Sequence, residues 1–87
     1  MNLPAPDTPL YNHPLPLIEA WLREHGCVQH REQLHCWQLK TPQWQAWISL
    51  DIEELTVLYE APGHQMKRAF KYSLSREDVE SAVFAGP

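Results

Sequence analysis

Apolar positions along this chain repeat with two different periods. Leu17, Ile18, Trp21 and Leu22 fall at i, i+1, i+4 and i+5, which a helix gathers into one stripe. Glu19, Arg23 and Glu24 lie off that stripe, and Gly26 stands where a left-handed C-terminal cap is wanted. Pro14 and Pro16 suit a first turn, whose amide hydrogens lack partners anyway. The pattern predicts a helix from about residue 15 to 25. Beyond it the repeat shortens to two. In "QWQAWISLDI", Trp44, Ala46, Ile48, Leu50 and Ile52 share one face of a strand. "LHCWQLK", "LTVLYE" and "MKRAFKYSL" read as further strands, the last with Arg68, Phe70, Tyr72 and Leu74 on one side and Lys67, Ala69, Lys71 and Ser73 on the other. "CVQH" is a short edge strand at most. Thr41-Pro42, Glu53-Glu54 and Pro62-Gly63 mark the turns. The helical period returns at Val79, Ala82 and Val83, after Ser75 as N-cap and with Asp78 in the capping-box position.

The expected order is therefore α-β-β-β-β-α. Short connections imply an antiparallel sheet of three or four strands, and two striped helices must cover one of its faces. This is an α+β fold, a single two-layer domain over residues 13–87. Before it, residues 1–12 hold Pro4, Pro6 and Pro9. Prolines push their predecessors toward extended geometry, so this stretch reads as an extended arm that Leu10 and Tyr11 could pin to the domain.

Composition narrows the class. A chain of 87 residues makes one domain with a thin stability margin. Four tryptophans help to fill so small a core. Seven Lys plus Arg against eleven Asp plus Glu argue against a general phosphate binder. No apolar run is long enough to span a bilayer. The opening "MNLPAPDTPLYNHPLP" has no basic start followed by an apolar block, so no secretory signal is expected. Two cysteines then suggest reduced thiols in a cytosol.

Two long stretches, "DTPLYNHPLPLIEAWL" and "FKYSLSREDVESAVFAGP", together with "HCW" and "LDIEELTV", resemble a family of small cyanobacterial proteins with plastid relatives, a domain of unknown function. The resemblance implies no catalytic residues. It implies a photosynthetic cell, and through some plastid relatives an accessory role in photosystem I assembly at the stromal side of the thylakoid.

Four constellations invite a chemical reading. "CVQHREQLHC" offers Cys27, His30, His35 and Cys36 as metal ligands. Adjacent His35 and Cys36 would point to opposite faces of a strand, so no metal site is expected there, and Cys36 reads as a semi-buried apolar residue. A Cys-His nucleophile is disfavoured because Cys27 follows the end of a helix whose dipole opposes a thiolate. Asp51, Glu53 and Glu54 read as a solvated turn rather than paired catalytic carboxylates. "KRAFKY" interleaves Lys67, Arg68 and Lys71 with two aromatics, a composition that can bind single-stranded nucleic acid. The helix–sheet–helix order is similar to that of double-stranded-RNA binders, a likeness of topology alone. The alternative is that Lys67 and Lys71 face Glu60 or other acids as exposed cross-strand pairs.

The fourth constellation carries the functional expectation. If Trp44, Ile48 and Leu50 face the helices, Trp47 faces away, and so do Leu58 and Ala69, with Trp37 or Cys36 as a further member. So short a chain has no third layer to cover them, unless the arm folds back with Leu10 or Tyr11 on Trp47. An apolar cluster rimmed by Gln45, Ser49, Thr56, Lys67 and Lys71 marks an interface, and tryptophan concentrates binding energy. The sequence thus points to a non-enzymatic protein-interaction module without cofactors. Its partner-binding residues are Trp47, Leu58, Ala69, Trp37, Lys67 and Lys71. The partner is another protein, a second copy or a thylakoid-associated complex. The expected place is the cytoplasm or the periphery of the thylakoid. The alternatives are an RNA- or ribosome-associated domain using the basic strand, and a small zinc-binding domain.

Overall fold

A computed structural model describes residues 3–87, leaving residues 1–2 of the arm outside it. The order is α1 (Leu15–Glu24), β1 (Val28–Gln29), β2 (Cys36–Lys40), β3 (Gln45–Leu50), β4 (Glu54–Ala61), β5 (His64–Lys71) and α2 (Arg76–Val83). The five strands form one antiparallel meander in chain order. The α+β class and the antiparallel sheet are as expected, but the sheet has five strands rather than three or four, because "CVQH" contributes the two residues of β1 as an edge beside four full strands.

α1 ends in a Schellman closure: the Cys27 N–H donates to the Leu22 carbonyl at 3.0 Å and the Gly26 N–H to that of Arg23 at 3.0 Å. Leu22 and Cys27, brought together by this turn, are both buried. At α2 the Ser75 hydroxyl accepts from the Asp78 N–H at 3.2 Å, satisfying a first-turn donor. The far end of α2 is capped from the sheet, where the buried Tyr59 hydroxyl donates to the Val83 carbonyl at 2.7 Å.

Register fixes the two faces of the sheet. Trp37, Ile48 and Val57 are aligned across β2, β3 and β4, and Leu39, Ala46 and Tyr59 form the next such row. All six are buried beneath the helices together with Ile18, Trp21, Leu22, Val79 and Val83. Trp37 is therefore core, not a member of the open face. β2 starts at Cys36, and that phase turns the indole under α1, where the Arg23 guanidinium lies 5.1 Å above its ring. Ile52 also departs from expectation: β3 stops at Leu50, and Ile52 stands in the turn 99% exposed.

The arm does not cross the open face. Its Leu10, at the start of a short 3-10 turn (Leu10–Asn12), is fully buried in the core. The Leu10 and Tyr11 N–H groups donate to the carbonyls of Leu74 and Tyr72, both at 3.0 Å. In return the Arg76 and Glu77 N–H groups donate to Thr8 and Pro6, at 3.0 and 2.9 Å. The Arg76 side chain, itself buried, reaches the Pro4 carbonyl at 3.0 Å. Extended, proline-rich backbone has free carbonyls to offer, and the start of α2 has free donors; the two satisfy each other.

Candidate functional site

The open face carries one continuous row across all five strands: Val28, Gln38, Trp47, Leu58 and Lys67 are successive cross-strand partners. A second row runs Cys36, Ser49, Thr56 and Ala69. Trp47 and Leu58 are half-buried, Ala69 and Lys67 are exposed, and Val28 is 69% exposed. The Trp47 indole N–H donates to Glu60 at 2.8 Å, which holds the ring along the sheet. Among the described residues no element lies over this face. Trp47, Leu58, Ala69, Lys67 and Lys71 are brought together on it, whereas Trp37 is on the other side. Val28 and Gln38 complete the main row. Sequence reasoning passed over Val28 because a two-residue strand carries no periodicity, and over Gln38 because the phase of the five-residue β2 is set only by register.

Lys71 lies opposite Glu54, an expected acid, but Lys67 lies opposite Leu58 rather than Glu60. Among the described residues neither lysine forms an ion pair, and nor does Arg68. The ion pairs present converge instead on Glu80. Its Oε1 accepts from Trp21 Nε1 at 2.8 Å, lies 2.9 Å from His25 Nε2 and 3.8 Å from Arg76. The Trp21 hydrogen bond, then those from His25 and the Arg76 charge, hold the Glu80 carboxyl below its ordinary range against the opposing effect of burial. His25 stacks on Phe84 at 3.9 Å, with ring planes 7° apart. This cluster joins α1 to α2. A charge on α2 and a partner on α1 have no common spacing in sequence, so nothing in the pattern announced it.

The Cys/His stretch is dispersed. Cys27 is buried behind α1, and burial pushes its thiol up to about 11. His30 Nδ1 accepts the N–H groups of Glu32 and Gln33, at 3.1 and 3.0 Å, and so shapes its own turn. Cys36 reaches Gln33 and Ser49 on the open face, and His35 is exposed. Among the described residues no three His, Cys, Asp or Glu side chains are placed to hold a metal ion. Asp51 takes hydrogen bonds from Ser49 at 2.9 Å and Thr56 at 3.1 Å, which ties the β3–β4 turn together.

No described helix is long and apolar enough to cross a membrane. Neither a curated protein nor a solved structure matches the chain. A family model described as "Protein of unknown function (DUF3143)" matches residues 25–86, a span holding the whole sheet and α2. The chain belongs to this family of unknown function, DUF3143.

Proposed function

We propose that this protein is a non-enzymatic interaction module that docks another protein on its open sheet face. The observation that carries the reading is the row Val28–Gln38–Trp47–Leu58–Lys67, an apolar centre between polar neighbours with no layer over it among the described residues. Partly exposed aromatic and aliphatic groups on a rigid sheet can be desolvated by a partner at little ordering cost. The Glu60 hydrogen bond keeps the indole in place before binding. The likeness of the sequence to cyanobacterial and plastid proteins supports a place in a photosynthetic cell. There the module would act as an accessory or assembly factor in the cytoplasm or at the thylakoid periphery.

Trp47→Ala tests this. Capture of the tagged protein from its own cells, followed by identification of what co-purifies, supplies the partner. The substitution should leave the fold intact and weaken association by about 2 kcal/mol, roughly thirtyfold in Kd. An unfolded Trp47→Ala chain with no partner lost would make this face part of the core and end the proposal. RNA retarded at low salt by the wild type and released by salt would favour the basic strand instead.

A further inference from the structure

β5 is the long free edge of the sheet. It pairs with β4 on one side only, through eight consecutive residue pairs without a bulge. The opposite edge, β1, has two residues. Ala61 and His64 flank a two-residue turn and so form a doubly hydrogen-bonded pair. Pairs alternate from there, which turns the N–H and C=O groups of Gln65, Lys67 and Ala69 away from β4. Strands exposed like this are usually shortened, kinked, interrupted by proline, charged or covered. Among the described residues β5 shows only the charge, which discourages pairing with a strand of like sign.

What it does carry is charge. Three of the seven Lys and Arg residues of an acidic chain stand at 67, 68 and 71. β5 holds no acid, and the three cations make no ion pair among the described residues. A second copy paired edge to edge would bring two such sets onto one ladder with only Glu54, opposite Lys71, to offset each. A strand of opposite sign meets no such penalty. On the helix side Met66 and Phe70 are half-buried against the core, so the added strand would extend that apolar layer.

We infer that the β5 edge accepts an extended acidic segment of a partner protein as a sixth, antiparallel strand. Acids on that strand face Lys67, Arg68 and Lys71, a small apolar residue faces Ala69, and apolar residues face Met66 and Phe70. Read along the partner, this is acid, apolar, apolar, acid, acid, apolar. The main-chain ladder supplies affinity and the alternating side chains supply selection. The inference does not depend on Trp47, and the two fail separately.

The probe is a ten-residue peptide with the core Glu-Val-Val-Glu-Glu-Val, titrated into the full chain and followed by amide NMR. Binding should protect the Gln65, Lys67 and Ala69 amides from exchange and weaken with added salt. The double variant Lys67→Glu/Lys71→Glu, both residues being exposed, should weaken it by about tenfold or more. Ala69→Pro, whose lost N–H points outward, should abolish it while β4–β5 pairing persists. Trp47→Ala should bind the peptide as the wild type does. The inference is overturned if the acidic peptide does not bind, if a Lys-for-Glu version binds equally, or if Ala69→Pro binds unchanged. Dimerisation through β5, or single-stranded RNA displacing the peptide, would overturn it too.

Discussion

Gly86 offers the most direct check on how the C-terminal residues close the fold. It is buried with φ +92°, and a Cβ added there would lie 2.6 Å from Trp44 Nε1 and 2.9 Å from Cε2. Gly86→Ala therefore carries two costs. Holding alanine at positive φ costs about 1 kcal/mol, and forcing a methyl group into the indole costs about 1–3 kcal/mol. The sum, about 2–4 kcal/mol, is a large part of the roughly 4–13 kcal/mol a domain of this length commands. It should lower the melting temperature by roughly 10–30 °C. Gly26→Ala is the matched control, because its φ of +86° imposes the same backbone cost while its Cβ would meet only Leu39 Cδ1 at 3.8 Å, an ordinary contact. Urea unfolding followed by tryptophan fluorescence gives both values, and Gly86→Ala should be the worse by about 1–3 kcal/mol. Adding Trp44→Leu to Gly86→Ala should recover part of the loss, since the clashing ring is gone. If the two single variants are equally mild, the C-terminal residues do not lie on Trp44 and the reasoning is refuted.

Other outcomes follow from the same geometry. Leu10→Ala should cost about 2–5 kcal/mol in a denaturant titration, as for any buried leucine, whereas Tyr11→Ala, 64% exposed, should change stability by no more than about 0.5 kcal/mol. Glu80 has a depressed carboxyl pKa, so its contribution is present above the ordinary value of 4.5 and is lost as pH falls through the lower folded value. Glu80→Gln should accordingly flatten the acid limb of stability against pH in thermal melts. A thiol reagent at mildly alkaline pH should label Cys36 in the native protein and spare Cys27, whose thiol is buried and pushed up to about 11; labelling of both without unfolding would show that Cys27 is open to solvent.

Much of this fold was legible in the chain because its signals are local. The stripe Ile18, Trp21, Leu22 is buried as a helical period requires, and α1 closes at Gly26. The alternation in β3 and β4 places Ile48 and Val57 inside and Trp47 and Leu58 outside. Phase failed at strand ends. Ile52 continues the period but lies past the last paired residue, and period alone does not say where pairing stops. Trp37 was ambiguous because β2 is only five residues long, and one position of slip exchanges its two faces. Leu10 reads as an anchor of the arm, but the arm also stood as a possible cover for Trp47 because the seat of Leu10 is built from residues far along the chain. The contacts of Glu80 with Trp21 and His25, and of Gly86 with Trp44, are equally remote in sequence.

The exchange of hydrogen bonds between residues 6–11 and 72–77 has a consequence for synthesis. Ribosomes deliver a chain N-terminus first at about 5–20 residues per second. Each strand of the meander can pair with its predecessor as it emerges, but Leu10 waits for its seat until Leu74 and Arg76 have left the exit tunnel. The growing chain thus carries an unseated leucine anchor while the whole sheet is being made, until residues 72–77 emerge to lock residues 6–11.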